Sequence, residues 1–304
     1  MIPKLALIGL GLIGSSIGHA AKRANLVGEI VGYARSPETR KTALEVGFID
    51  RVCDSAAEAV KDADLVILCT PVGTIRAITK EIAPALKPGA ILSDVGSVKA
   101  SIVEQAQPNL PDGVHLVPAH PVAGTEESGP TSGFAELFDN RWCILTPVPG
   151  GNAVALKTVR AFWEALGSNV EVMTPEHHDR VLAVTSHIPH LIAYTICGTA
   201  SELETVTGSE VIKYSAAGFR DFTRIAASDP TMWRDVFLHN KDATLEVLGR
   251  LTEDIFALQR AIRKGDGEML FDQFTRTRAI RRGIVEAGQD TDAPNFGRGN
   301  TSDD

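Results

Sequence analysis

The chain has 304 residues, of which 44% are hydrophobic, 22% charged and 6% aromatic, with a mean hydropathy of +0.03. That is enough chain for two domains at about 100–200 residues each, and the composition excludes a disordered segment, a collagen-like repeat and a disulfide-stapled mini-protein. The 30 basic and 38 acidic residues leave a net charge of −8, which argues against nucleic-acid and anionic-membrane partners, since both need a basic face. An anionic small molecule therefore has to be met by local arginines.

Cys53, Cys69, Cys143 and Cys197 lie far apart without a CxxC pair. They read as small core residues in a reducing compartment, with neither a zinc site nor a disulfide framework. No continuous apolar run reaches the ~18 residues of a membrane span. Lys4 and the apolar stretch 5–14, with small residues to 21, imitate a signal peptide. The glycine spacing inside the stretch accounts for it better, and a cytoplasmic protein is expected.

The first half alternates short β-like runs with helical patterns. Strands are predicted at 4–9, 29–33, 63–70 and 90–95, with helices at 12–24, 37–46 and about 73–86 between them. Continuous rather than alternating apolar strands indicate burial on both faces, as in a parallel sheet covered by helices. The fold class is therefore α/β, a doubly wound parallel sheet of Rossmann type. Further strands fit 114–117, 141–145 and 169–173, with a helix at 153–166. From Thr174 onward the periodicity is helical, and Thr174-Pro175-Glu176 starts a helix with a hydroxyl cap and a proline in the first turn. The expected domains are 1–174, dinucleotide-binding, and 175–288, helical, followed by a polar flexible tail at 289–304.

Gly9-Leu10-Gly11-Leu12-Ile13-Gly14 follows a predicted strand and opens a helix. In that setting Gly9 makes the tight turn, Gly11 lets a pyrophosphate approach, and Gly14 allows helix–strand packing. Leu12 and Ile13 belong to the same loop, and the helix N-terminus offers N–H groups to phosphate. Thr70 and Pro71, ending the third predicted strand, join the cofactor-binding set. The second strand ends in Tyr33-Ala34-Arg35-Ser36, where an acid would bond a ribose 2′-hydroxyl and an arginine accommodates a 2′-phosphate. Ala34 stands where the acid is expected and Arg35 is adjacent, which favours NADP over NAD. NAD binding without the acidic contact is the alternative.

Three further clusters carry chemistry. Asp94-Val95-Gly96-Ser97-Val98-Lys99 follows an apolar strand. Pro118-Ala119-His120-Pro121 ends another and constrains a histidine between prolines, where it suits proton removal from an alcohol. In the helical half, His187 and His190 share a face if the helix continues through Pro189. Arg224, in an apolar context, suits a bidentate grip on a carboxylate, whereas Arg220 and Arg234 read as surface ion pairs. His177 and His178 read as a helix first turn rather than a metal site, with Asp179 able to orient a cationic group.

The segments GLGLIGSS, SDVGSVK, PAHPVAGTE, TSHIPHLIA and GFRDFTRIAASDPTMW, in this order, resemble the prephenate/arogenate (cyclohexadienyl) dehydrogenase family of tyrosine biosynthesis, over about residues 3–287. The resemblance implies NAD(P)-dependent oxidative decarboxylation of prephenate or arogenate between a Rossmann domain and a helical domain, with two helical domains packed into a homodimer. It assigns His120 as the catalytic base and Ser97 as a hydroxyl that orients it. His187 and His190 line the substrate pocket, and Arg224 holds the ring carboxylate with Asp179 helping to position it. Trp233 falls on an aromatic of that pocket region, and core packing accounts for it equally well. The alternatives are a β-hydroxyacid dehydrogenase or imine/pyrroline carboxylate reductase of similar build, which usually lack such a histidine, and a non-enzymatic dinucleotide-sensing module.

Overall fold

Leu5 and Leu7 pack into one apolar cluster while Ala6 and Ile8 pack into another. Each side chain of this strand thus finds cover on its own side of the sheet, as a continuous apolar run requires. The computed structural model describes residues 1–125, 127–207 and 213–286, in two compact units, Met1–Val247 and Leu248–Asp304. The predicted tail at 289–304 lies outside the described residues.

In the first unit, strands β1 (Ile2–Ile8), β2 (Val27–Tyr33), β3 (Arg51–Val52), β4 (Leu65–Leu68), β5 (Ile91–Asp94) and β6 (His115–Leu116) form one sheet in the order β3-β2-β1-β4-β5-β6. Every pairing in it is parallel. The helices between them are α1 (Leu12–Arg23), α2 (Pro37–Val46), α3 (Ala56–Val60), α4 (Ile75–Ile82) and α5 (Ala100–Ala106). This is the doubly wound order, with its switch point between β1 and β4, where ligands of such sheets bind. Strand β3 and helices α3 and α5 are too short to show as periodic runs.

The later strands do not extend this sheet. β7 (Ala119–Pro121), β8 (Trp142–Leu145) and β9 (Asn169–Val172) form a second sheet, with β7 antiparallel to β8 and β8 parallel to β9 across helix α6 (Ala153–Ala165). The chain leaves the first sheet at Pro118, which has no N–H to continue a ladder, and Pro121 is tolerated because β7 is an edge strand. Two residues between β6 and β7 are also too few for a parallel crossover.

After β9 the described chain is helical. Helix α7 (Pro175–Leu182) is capped by Thr174, whose hydroxyl accepts from the His177 amide. It runs through a π-turn, Ala183–His187, into α8 (Ile188–Thr207). The wide turn explains how the helix passes Pro189, whose ring would clash with a regular preceding turn. Pro175–Leu203 contains an 18-residue window with a mean hydropathy of 1.3 and is, among the described residues, one helical stretch long and apolar enough to cross a membrane. Polar breaks hide it from a search for continuous apolar runs. Its first turns bury His178, Asp179 and His187.

Helix α9 (Ala217–Thr223) and helix α10 (Pro230–His239) complete the first unit, together with the start of α11 (Lys241–Lys264). Asp235 in α10 accepts the Gly73 amide at 3.1 Å and a two-pronged bond from Arg234 at 2.9 and 2.7 Å, which ties α10 to the loop after β4. The second unit holds the rest of α11 and α12 (Gly267–Glu286), turned at Gly265 with φ +70°.

A Cβ at Gly14 would lie 2.2 Å from the Gly9 carbonyl oxygen. Gly14→Ala is therefore expected to shift the loop and to destabilise the fold by about 1–3 kcal/mol, with weaker dinucleotide binding. Chemical denaturation and a binding titration check this; unchanged values in both contradict it.

Candidate functional site

The loop after β1 is shaped by what its glycines exclude. Gly9 has φ +104°, and a Cβ there would meet the Cys69 carbonyl oxygen at 2.5 Å. Gly11, by contrast, has open space where its Cβ would be. It precedes α1, whose first turn carries neither an acidic residue nor a side-chain cap. Free helix N–H groups beside an open glycine suit a pyrophosphate. Across the switch point the Thr74 hydroxyl donates to the Pro71 carbonyl oxygen at 2.7 Å and lies 2.9 Å from Thr70 Oγ1, holding the turn after β4.

At the end of β2, Ala34 is buried while Arg35 and Ser36 are exposed. The Ser36 hydroxyl caps α2 by accepting the Thr39 amide. A second guanidinium stands here that the sequence reading did not single out. Arg40 donates to the Ala34 carbonyl oxygen at 2.8 Å and lies 5.8 Å over the Tyr33 ring.

At the end of β5 two charged side chains are buried together. Asp94 and Lys99 form an ion pair, and both are almost fully buried. Burial raises the Asp94 pKa and lowers that of Lys99, each against the pull of the other's charge. Between them they hold residue 119 by both backbone groups: Asp94 accepts the Ala119 amide at 3.3 Å, and Lys99 donates to the Ala119 carbonyl oxygen at 2.6 Å. The next residue is His120, 6% exposed.

The His120 ring is held separately. Its Nδ1 lies 2.8 Å from His178 Nε2, and His178 Nδ1 lies 2.8 Å from Asp179 Oδ1. Asp179 also accepts the Lys99 amide at 2.7 Å and the Ala100 amide at 2.9 Å, so a carboxylate from α7 caps the first turn of α5. Burial, reinforced by the positive charge of Lys99 and by His187, pushes His178 down to about 2. Burial lowers His120 well below its ordinary value too, with His178, Lys99 and His187 adding to it. Burial thus favours the neutral form of both rings.

The helical part contributes a second group. Asn240 donates to the Asp179 carbonyl oxygen at 2.8 Å and lies 3.1 Å from His187 Nδ1. Burial pushes His187 down to about 4, against the opposing charge of Asp179. His190 donates from Nδ1 to the Ser186 carbonyl oxygen at 2.8 Å and stacks on Trp233 with ring centroids 3.7 Å apart. Its pKa is lowered by burial, and the charge of Arg224 adds to the effect. Trp233 is 5% exposed, and its buried indole N–H has no hydrogen-bond partner among the described residues. Arg224 is half-buried at the end of α9.

The structure thus brings His120 next to the Asp94–Lys99 pair, and groups His190 with Trp233 and Arg224. It does not join Ser97 to His120: the half-buried Ser97 hydroxyl makes no hydrogen bond to a described residue, and His178 holds the ring instead. Both Asp179 oxygens are engaged by α5 and His178 rather than by Arg224. Arg234 forms the ion pair expected of it, with Asp235. His178, Lys99 and Asp94, which hold His120 and the residue before it, are the positions to which the sequence alone assigned no role. One signal was available: Pro175, His178, Asp179 and Leu182 are all buried, at the i, i+3, i+4, i+7 spacing of a core face. Two of those four side chains are polar.

The family profile described as "Prephenate dehydrogenase, nucleotide-binding domain" matches residues 17–172, and "Prephenate dehydrogenase, dimerization domain" matches 174–276. The chain is 43% identical to the cyclohexadienyl dehydrogenase of Zymomonas mobilis over 277 residues, covering 91% of this chain and 94% of that protein. It is 35% identical to the prephenate dehydrogenase of Bacillus subtilis over 281 residues, 92% of this chain and 76% of that protein. Among solved structures, the A. aeolicus prephenate dehydrogenase in complex with hydroxyphenyl propionate and NAD+ aligns with a TM-score of 0.86 at 34% identity, covering 93% of this chain and 99% of that one. A Mycobacterium tuberculosis 3-hydroxyisobutyrate dehydrogenase, at 16% identity and a TM-score of 0.56, shares the fold alone. The chain belongs to the prephenate dehydrogenase family.

Proposed function

We propose that the protein oxidatively decarboxylates prephenate, arogenate or both, forming 4-hydroxyphenylpyruvate or tyrosine with reduction of NAD(P) in tyrosine biosynthesis. The observation that carries this reading is His120. Its Nδ1 is engaged by His178, which leaves Nε2 as the ring nitrogen that can take a proton. The hydroxyl proton of the substrate ring passes to Nε2, and the nicotinamide, when bound, accepts the hydride from the same ring carbon. The electron pair of the C–CO2 bond enters the ring as CO2 leaves, and the oxygen recovers its proton as the phenol forms.

Arg224 supplies the fixed positive charge for a carboxylate, the grip a net-negative protein needs. His190 and Trp233 supply a flat wall with the unpartnered indole N–H as a donor. His190 Nε2 serves as an acceptor, because Nδ1 carries the proton given to Ser186. Ser97, half-buried in the loop after β5, is assigned a part in orienting the substrate. Holding both ends of the ring aligns its C–H bond with the nicotinamide.

Arg35 and Arg40 flank the end of β2 while Ala34 offers no acid, and this supports NADP as the preferred cofactor. A homodimer is supported by the match to a dimerization domain and by exposed Ile255, Phe256, Phe271 and Phe274 in the second unit. A cytoplasmic enzyme without nucleic-acid or membrane partners completes the reading.

The test is an initial-rate assay of both substrates against both cofactors. Turnover of at least one combination is expected, with His120→Ala losing about a hundredfold or more in kcat and keeping cofactor affinity. Silence in all four, with dinucleotide still bound, contradicts the reading. Arg35→Ala is expected to lower kcat/KM for NADP about tenfold, the loss of one charge-assisted contact of about 1.4 kcal/mol, and to leave NAD nearly unchanged. Equal effects on both cofactors contradict the NADP preference.

A further inference from the structure

The ring of His120 has one engaged nitrogen, and the partner of that nitrogen is another histidine rather than a carboxylate or a carbonyl. Two neutral imidazoles joined by a hydrogen bond must share one proton, so the state of one ring fixes that of the other. The direction is decided at the far end. Asp179 Oδ1 accepts the Lys99 amide and lies 2.8 Å from His178 Nδ1. Its other oxygen accepts the Ala100 amide. A carboxylate already serving as an acceptor requires a donor at His178 Nδ1. His178 Nε2 then carries a lone pair, and His120 Nδ1, 2.8 Å away, must carry the proton.

We infer that His178 and Asp179 form a relay that sets the tautomer of His120, leaving a lone pair on His120 Nε2, and that His178 is a positioning residue for proton removal. The inference rests on the proposed dehydrogenase reading for its consequence and on the hydrogen-bond geometry for its direction. When His120 accepts the substrate proton at Nε2, the positive charge that forms is shared through Nδ1–H with His178 Nε2. No bond is made or broken in the relay itself, and the proton returns to the product oxygen from Nε2. Lys99 and His187 face the same rings and disfavour a permanent positive charge there, so the relay holds the base neutral and ready.

The relay differs from a purely structural role in which nitrogen matters. An asparagine at 178 places its amide near the Nδ1 position, where it meets Asp179 but not His120. A glutamine reaches the Nε2 position and offers an oxygen to the His120 Nδ1–H. His178→Asn is expected to lose about a hundredfold or more in kcat, within the range contributed by a positioned base, with KM and cofactor affinity nearly unchanged. His178→Gln is expected to keep most of the turnover. Equal kcat for the two variants, or a more active asparagine variant, overturns the relay.

Nitrogen NMR of the full-length enzyme labelled with ¹⁵N-histidine tests the tautomer without depending on how these variants fold. The His120 resonances, identified by their loss in His120→Asn, are expected to show a protonated Nδ1 and an unprotonated Nε2. A protonated Nε2 on neutral His120 overturns the inference. These outcomes separate it from the reaction assignment: a wild-type enzyme silent toward both substrates sinks the reaction, while the His120 tautomer still decides the relay.

Discussion

An ammonium and a carboxylate buried almost completely in one place hold each other charged, and neither can relax without leaving the other uncompensated. Asp94 and Lys99 form such a pair at the carboxyl end of β5, and much of the site is organised around them. The pair takes both backbone groups of Ala119, so the strand that carries His120 is fixed to the first sheet although it belongs to the second. The Lys99 amide is in turn taken by Asp179. The same lysine therefore links the Rossmann sheet, the small second sheet and the first helix of the helical region. His120 sits where these three meet.

This arrangement separates two demands that an active base makes on its protein. The backbone of His120 is positioned through Ala119 by the ion pair, and the ring is oriented through His178 by Asp179. Neither device uses Nε2, the nitrogen assigned to the substrate proton in the proposed reaction. The Gly9–Gly14 loop handles the dinucleotide by a different principle. There, side chains are absent so that backbone atoms can approach, and the helix N-terminus supplies donors. Charge is concentrated where a proton must move and withheld where phosphates must fit.

Periodicity revealed the first sheet because its strands are apolar on both sides, and the glycine spacing revealed the cofactor loop because each glycine answers a steric need. The second sheet was not legible as such. Strand β7 is only three residues long, and its proline-flanked sequence shows that the chain is constrained without showing what it pairs with. Helices α3 and α5 were too short for a periodic signal, and α5 owes its cap to Asp179, a residue 79 positions away from Ala100. His120, His190 and Arg224 were recognisable as residue types in local motifs. Their supports were not, because Lys99 and His178 look like ordinary polar residues until the fold buries them. Arg40 was not legible for a related reason: the ring and carbonyl it leans on lie seven and six residues earlier, outside its helix.

The most direct test of this account removes the ion pair without leaving a lone buried charge. Lys99→Met alone strands Asp94 and is expected to cost about 3–5 kcal/mol of stability. Asp94→Leu combined with Lys99→Met should recover most of that loss in a denaturation measurement, because a hydrophobic replacement of both partners is tolerated. The decisive quantity is the kcat of the refolded double variant. The account predicts a stable enzyme that still binds dinucleotide and has lost turnover, since the side-chain bonds that tie Ala119 to the first sheet are then gone and only the pairing with β8 remains. A stable double variant with wild-type kcat would contradict the claim that this pair positions His120, the proposed base.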